Sequence, residues 1–176
     1  MFTLGPPFWA SNIPAVTNTP NTLIDFQTLG LADIGDGTEV TTQYLESGVV
    51  FTNVFAVHAG TGTNDADFPP KPPGTNNFGF VRTHGDPFSF TVQPGFNFKT
   101  VSFGYALTTT SLTVKIYSRA GGFQQYNING NSEGWVWFIP GITKSFSGIG
   151  ADVVDRVEFN LKGFGLFALD SISLTN

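Results

Sequence analysis

The chain has 176 residues, with eight Lys and Arg against 13 Asp and Glu, a net charge of −5 and only 12% charged residues. Too few cations are present to track a phosphate backbone, which excludes an electrostatic nucleic-acid binder, and the absence of cysteine excludes disulfides and thiolate metal sites. With 40% hydrophobic residues, 19 of them Phe among the aromatics, one domain can bury enough apolar surface to offset its ordering entropy, so disorder is excluded too.

The opening stretch, MFTLGPPFWASNIP, has neither the basic start nor the continuous apolar run of a secretory leader, and the first cation is Lys71. No run approaches the ~18 apolar residues of a membrane span, so membrane insertion is not expected. A surface rich in Thr, Asn and Gly and poor in Lys points to an extracellular or surface-associated protein. The chain would then be one already cut at its mature start, or one exported another way, such as a virion component. Residues 1–21 read as an extended arm set by Pro6, Pro7, Pro14 and Pro20. Phe2, Leu4, Phe8, Trp9, Ile13 and Val16 give that arm an apolar load that should lie on its own domain or on a neighbouring copy, making a homo-oligomer.

From residue 22 to 176 the pattern is β. Gly48–Val57 reads as one long strand with Val49, Phe51, Phe55 and Val57 on one side. Residues 59–77 form a long loop with four prolines, a length that points to function or poor order. Phe88, Phe90 and Val92 then alternate with polar residues, as do Val101, Phe103 and Tyr105, Leu112, Val114 and Ile116, and finally Val157, Phe159 and Leu161. Trp135–Ile139 is a continuous apolar run, covered on both faces or lying at a contact surface. Turn signals at Gly35-Asp36-Gly37, Gly121-Gly122 and Asn129-Gly130-Asn131 separate the strands, and no segment of helical periodicity appears. Roughly nine or ten strands without a helix predict an all-β, antiparallel two-sheet jelly-roll sandwich whose core is filled by Phe rings.

Three segments carry a resemblance: Leu23-Ile24-Asp25-Phe26-Gln27 with Tyr44–Phe51, Phe98–Phe103, and Asp155–Phe159 with Leu166–Ile172. Together they resemble the extracellular β-sandwich domains of PEP-CTERM-type bacterial surface proteins, and through them galactose-binding-like and carbohydrate-binding-module jelly rolls. The resemblance implies that Asp25 and Asp170 lie side by side and bind a structural calcium with nearby carbonyls. The family's Asp-Phe-Glu opening reads Asp25-Phe26-Gln27 here, so one carboxylate is missing.

Calcium takes six to eight oxygens, several of them carboxylates. Asp25 and Asp170 stand among apolar neighbours, where a carboxylate must be paired, metal-bound or placed at a strand end to cap a turn. Asp65 and Asp67, with Asn64, form a weaker second calcium candidate, while Asp33 and Asp36 read as turn residues. A glycan site needs flat rings and planar polar groups. Its candidates are Trp135, Trp137 and Tyr126, with Gln124, Gln125, Asn127, Asn129 and Asn131, against the alternative that the tryptophans are core. His58 and His84 lie apart without a third ligand or a nucleophile elbow, so no catalysis is expected. The expectation is a non-catalytic extracellular carbohydrate-binding or adhesion domain. The alternative is a self-assembling subunit of a surface layer, filament or virion that uses the arm.

Overall fold

The computed structural model describes residues 19–29, 38–58, 74, 77–81, 87–107, 111–130, 136–147, 151–162 and 167–176. Among these the chain forms twelve strands: β1 (Thr22–Ile24), β2 (Thr38–Val40), β3 (Val49–Thr52), β4 (Val54–His58), β5 (Asn77–Val81), β6 (Phe88–Val92), β7 (Thr100–Leu107), β8 (Ser111–Ser118), β9 (Phe123–Asn129), β10 (Trp137–Ser145), β11 (Val154–Lys162) and β12 (Phe167–Thr175). One turn of 3-10 helix, Leu45–Ser47, interrupts them. A seven-stranded sheet runs β10-β7-β12-β5-β4-β2, with β1 added to β12, and a five-stranded sheet runs β3-β6-β11-β8-β9. All pairings are antiparallel. The protein is a two-sheet jelly-roll sandwich.

The alternation read in the sequence is what holds the layers together. Val101, Phe103 and Tyr105 of one sheet and Phe88, Phe90, Leu112, Val114, Ile116, Val157 and Phe159 of the other are all buried. Phe159 is the hub of the aromatic core. Its ring lies 5.0 Å from Phe88 in its own sheet, and 5.2 Å from both Phe103 and Phe167 across the sandwich. Each such ring contributes roughly 1.5–3 kcal/mol through burial, with about 0.5–1.5 kcal/mol more for each well-placed ring pair.

The expected long strand over Gly48–Val57 is instead two strands in different sheets. Asn53 adopts φ 58°, a left-handed conformation that Asn tolerates better than most residues, and its side-chain amide donates to the Pro87 carbonyl at 3.2 Å. The break passes the chain from one sheet to the other and reverses the alternation. Val49 and Phe51 face the core, and so do Val54 and Ala56, while Phe55 is 39% exposed on the outside. This split, with the three-residue strands β1 and β2, brings the strand count above the nine or ten expected.

The end of the arm is tied to the domain. Thr19 is buried, its hydroxyl accepts from the Asn97 amide at 3.2 Å, and the Asn176 side chain donates to the Thr19 carbonyl. Residues 1–18, and with them most of the expected oligomerisation arm, lie outside the described residues.

Candidate functional site

Strand pairing builds one polar surface, the outer face of the five-stranded sheet. Because Ile116, Val114 and Leu112 of β8 point inward, Tyr117, Lys115, Thr113 and Ser111 point outward. The β8–β9 register sets Phe123, Gln125, Asn127 and Asn129 beside those four in turn. On the other flank, the β11 register sets Arg156, Glu158, Asn160 and Lys162 beside the same four. The face is thus a lattice of amides, hydroxyls and charges with two aromatic rings at one end.

The rings are Tyr117 and Phe123, with centroids 5.3 Å apart and planes tilted by 46°. Phe123 is 54% exposed. It stands at the strand end, where the Gly121-Gly122 turn, with φ of 105° and 78°, carries the chain straight back into β9 and the outward ring leans on Tyr117. The Arg156 guanidinium lies 4.3 Å over the Tyr117 ring and pairs with Glu158 at 3.4 Å. Lys115 places its ammonium 5.1 Å over Phe123. Along β9, the exposed Asn127 accepts at Oδ1 from Gln125 Nε2 at 3.0 Å and from Thr113 Oγ1 at 3.2 Å.

Beyond Phe123, an open cleft of about 670 Å³ lies between the β9 edge and the end of β10. Phe123, Gln124 and Gln125 form one side, and Lys144 and Phe146 the other, with Asp152 at its end. Ser118 donates to Asp152 at 3.0 Å.

The residues expected to form one glycan site are divided by this geometry. Asn127, Asn129 and Gln125 share the outer face because they are two residues apart. Gln124 and Tyr126 point the other way, and Tyr126 packs against the core. Trp137 belongs to the seven-stranded sheet, where it packs on a small cluster of Val57, Phe78, Ala106 and Ala168. It therefore shares no surface with the β9 amides, and Trp135 and Asn131 lie outside the described residues. Tyr117, Phe123, Lys115, Arg156 and Glu158 were missed. Alternation implied that Lys115 and Glu158 face outward and gave no signal for Phe123, and only the pairing of β8 with β9 and β11 makes all five neighbours.

The second expected site is more coherent. β1 runs beside β12 with Ile24 opposite Ile172, so Asp25 and Asp170 leave the ladder next to one another. Both chains bend there: Phe26 has φ 61° and Ser171 φ 53°. Asp170 is fully buried and its carboxylate accepts from the Ser171 hydroxyl at 3.2 Å. Asp25 is half-buried and accepts from the Gln27 amide at 3.1 Å, a turn-capping bond. The buried Tyr44 hydroxyl has no partner in hydrogen-bonding geometry, its polar neighbours being Thr28 and the Phe26 backbone. Burial raises the Tyr44 pKa, and the negative charges of Asp25 and Asp170 push it further in the same direction. Both carboxylates thus act electrostatically on one buried hydroxyl. Asp65, Asp67, Asp33, Asp36 and His84 lie outside the described residues.

No family model matches the chain, and no curated protein matches it. Solved structures do. An apo-form cyclase from Fischerella sp. superposes with a TM-score of 0.53 at 11% identity, over 88% of this chain and 95% of that one. What they share is the fold. Two carbohydrate-binding modules superpose less closely. TmCBM61, solved with β-1,4-galactotriose, gives 0.47 at 10% identity over 81% of this chain and 99% of that one. The CBM22-1 xylan-binding domain of Paenibacillus barcinonensis Xyn10C gives 0.44 at 12% identity over 82% and 96%.

Proposed function

We propose that the protein is a non-catalytic carbohydrate-binding domain that holds a glycan across the outer face of its five-stranded sheet, in an extracellular or surface setting. The observation that carries this is the pairing of an exposed ring, Phe123 beside Tyr117, with in-register amides at Gln125, Asn127 and Asn129. Apolar sugar faces stack on such rings, while planar amides pair with adjacent hydroxyls. Glu158, held by Arg156 at 3.4 Å, adds a fixed acceptor for sugar hydroxyls beside the rings. The test is affinity electrophoresis through a panel of plant and bacterial polysaccharides, repeated with Phe123→Ala and Asn127→Ala. Retardation by at least one polymer that both variants weaken supports the reading, and a chain that no polymer retards would sink it.

The same proposal includes a structural calcium at Asp25 and Asp170. A wholly buried carboxylate beside a second one and an orphaned hydroxyl suits a hard cation. Among the described residues no third carboxylate joins them, so carbonyl and hydroxyl oxygens would complete the ligand set. The ion would brace the point where β1 leaves β12, far from any bond-making step.

A second reading, self-assembly, is favoured by one observation. Val136, Phe138 and Ile139 are 42%, 46% and 40% exposed at or beside β10, an edge strand of the seven-stranded sheet. An apolar edge invites another chain. Light scattering on the full chain and on Phe138→Lys separates this reading from a monomeric binder. Among the described residues no helix is long and apolar enough to cross a membrane.

A further inference from the structure

The polar face and its adjoining cleft gather positive charge in an acidic protein. Lys115, Lys144, Arg156 and Lys162 lie there, half of the eight cations in a protein of net charge −5. Two of them are unmatched. Neither Lys115 nor Lys144 makes an ion pair among the described residues. Instead each ammonium sits 5.1 Å over a phenylalanine ring, Lys115 over Phe123 and Lys144 over Phe146. Both rings line the 670 Å³ cleft. A cation held only by a ring face keeps most of its charge available to an incoming anion. Glu158, opposite Lys115 in register, pairs with Arg156, and Asp152 lines the cleft with Lys144. Among the described residues four cations thus stand against two carboxylates there, and the local charge is opposite in sign to that of the whole molecule.

We infer that the glycan is anionic: a polysaccharide bearing carboxylates, as uronic acids do, or sulfate esters. A sugar ring packs on the exposed part of Phe123, and its acidic substituent meets Lys115 beside that ring and Lys144 in the adjoining cleft. Arg156 stands over Tyr117 with its charge shared by Glu158, and Lys162 lies farther along the same strand face. This rests on the carbohydrate-binding reading and adds the charge of the ligand to it.

The test uses the intact chain in titration calorimetry at about 0.15 M salt, where exposed charges are screened beyond ~8 Å. The probes are polygalacturonate, a sulfated galactan, neutral β-1,4-galactan and neutral xylan. The expected result is at least about tenfold tighter binding to an anionic polymer than to either neutral one. Lys144→Gln and Lys115→Gln should each remove most of that preference and flatten its salt dependence, with Lys144→Arg retaining it. Preference for polygalacturonate alone assigns the anion as a carboxylate, and equal binding of the sulfated polymer assigns it as charge of either kind. Neutral polymers bound as tightly, with the lysine variants silent, would overturn the inference and leave the carbohydrate-binding reading standing. Binding to none of the four would overturn this inference as well. A neutral polysaccharide from the wider panel, bound through Phe123, would overturn it alone.

Discussion

Trp137 meets Phe78 edge to face, ring centroids 5.7 Å apart and planes at 72°, over a floor made of Ala106 and Ala168. The two rings reach each other because the residues between them in the sheet are alanines. Ala106 is paired with both Trp137 and Ala168, and larger side chains there would keep the rings apart. This tryptophan therefore spends its surface on its own sheet.

Trp137→Ala should then lower stability by about 2 kcal/mol, less than the ~3–5 kcal/mol of a fully buried ring because Trp137 is half-buried. Its glycan affinity should stay within about twofold of the parent. Phe123→Ala should behave in the opposite way, costing little stability and about tenfold in affinity. Chemical denaturation and affinity electrophoresis on the two variants read this exchange directly.

In the presence of chelator, with no cation at Asp25 and Asp170, alkaline stability should follow the buried tyrosines. Burial raises the pKa of both Tyr44 and Tyr105 above the ordinary 10.0. Below the unfolded value both are neutral in either state and their contribution is fully present. As pH passes that value the unfolded chain ionises first, and stability is lost as pH rises through the folded values. The thermal midpoint should hold between about pH 8 and 9 and fall above about pH 10. A Tyr44→Phe, Tyr105→Phe double variant should show a shallower fall, and an unchanged fall would refute the assignment.

Gly48 admits no side chain. It has φ 81°, and a Cβ there would stand 2.3 Å from the Phe96 ring. It also ends the 3-10 turn, donating to the Leu45 carbonyl at 2.9 Å. Gly48→Ala should cost about 2–3 kcal/mol from left-handed strain and overpacking together. Gly95→Ala, at φ 98° with nothing within 4 Å, should cost only about 1 kcal/mol. Comparing the two denaturation midpoints isolates the clash.

Chelation tests the calcium. If the ion is present at about 100 times its Kd, removing it should lower stability by roughly 2.7 kcal/mol. Asp170→Asn should become indifferent to chelator while remaining folded. A parent protein whose midpoint ignores both chelator and added calcium would leave Asp25 and Asp170 as turn-forming residues only.

Period-2 patterning made the sandwich legible, because each strand of a two-layer protein must turn one face to the core. Phe88–Val92, Val101–Tyr105 and Leu112–Ile116 are buried as their alternation required. It failed at Asn53, where one left-handed residue reversed the faces of everything after it in that stretch. Nothing in the surrounding apolar pattern marks such a reversal, since Phe55 and Val57 are as hydrophobic as Val54 and Ala56.

The candidate sites divide along the same line. The sequence by itself determined that the chain is all-β, phenylalanine-cored and acidic, and that amides cluster over residues 124–131, because these depend only on local periodicity and composition. The tertiary structure decided that Trp137 belongs to the opposite sheet. It also decided that Tyr117, Phe123, Arg156 and the unmatched Lys115 share a face with Asn127. Those relations depend on which strands pair and in which register, and backbone hydrogen bonds fix that between residues up to tens of positions apart.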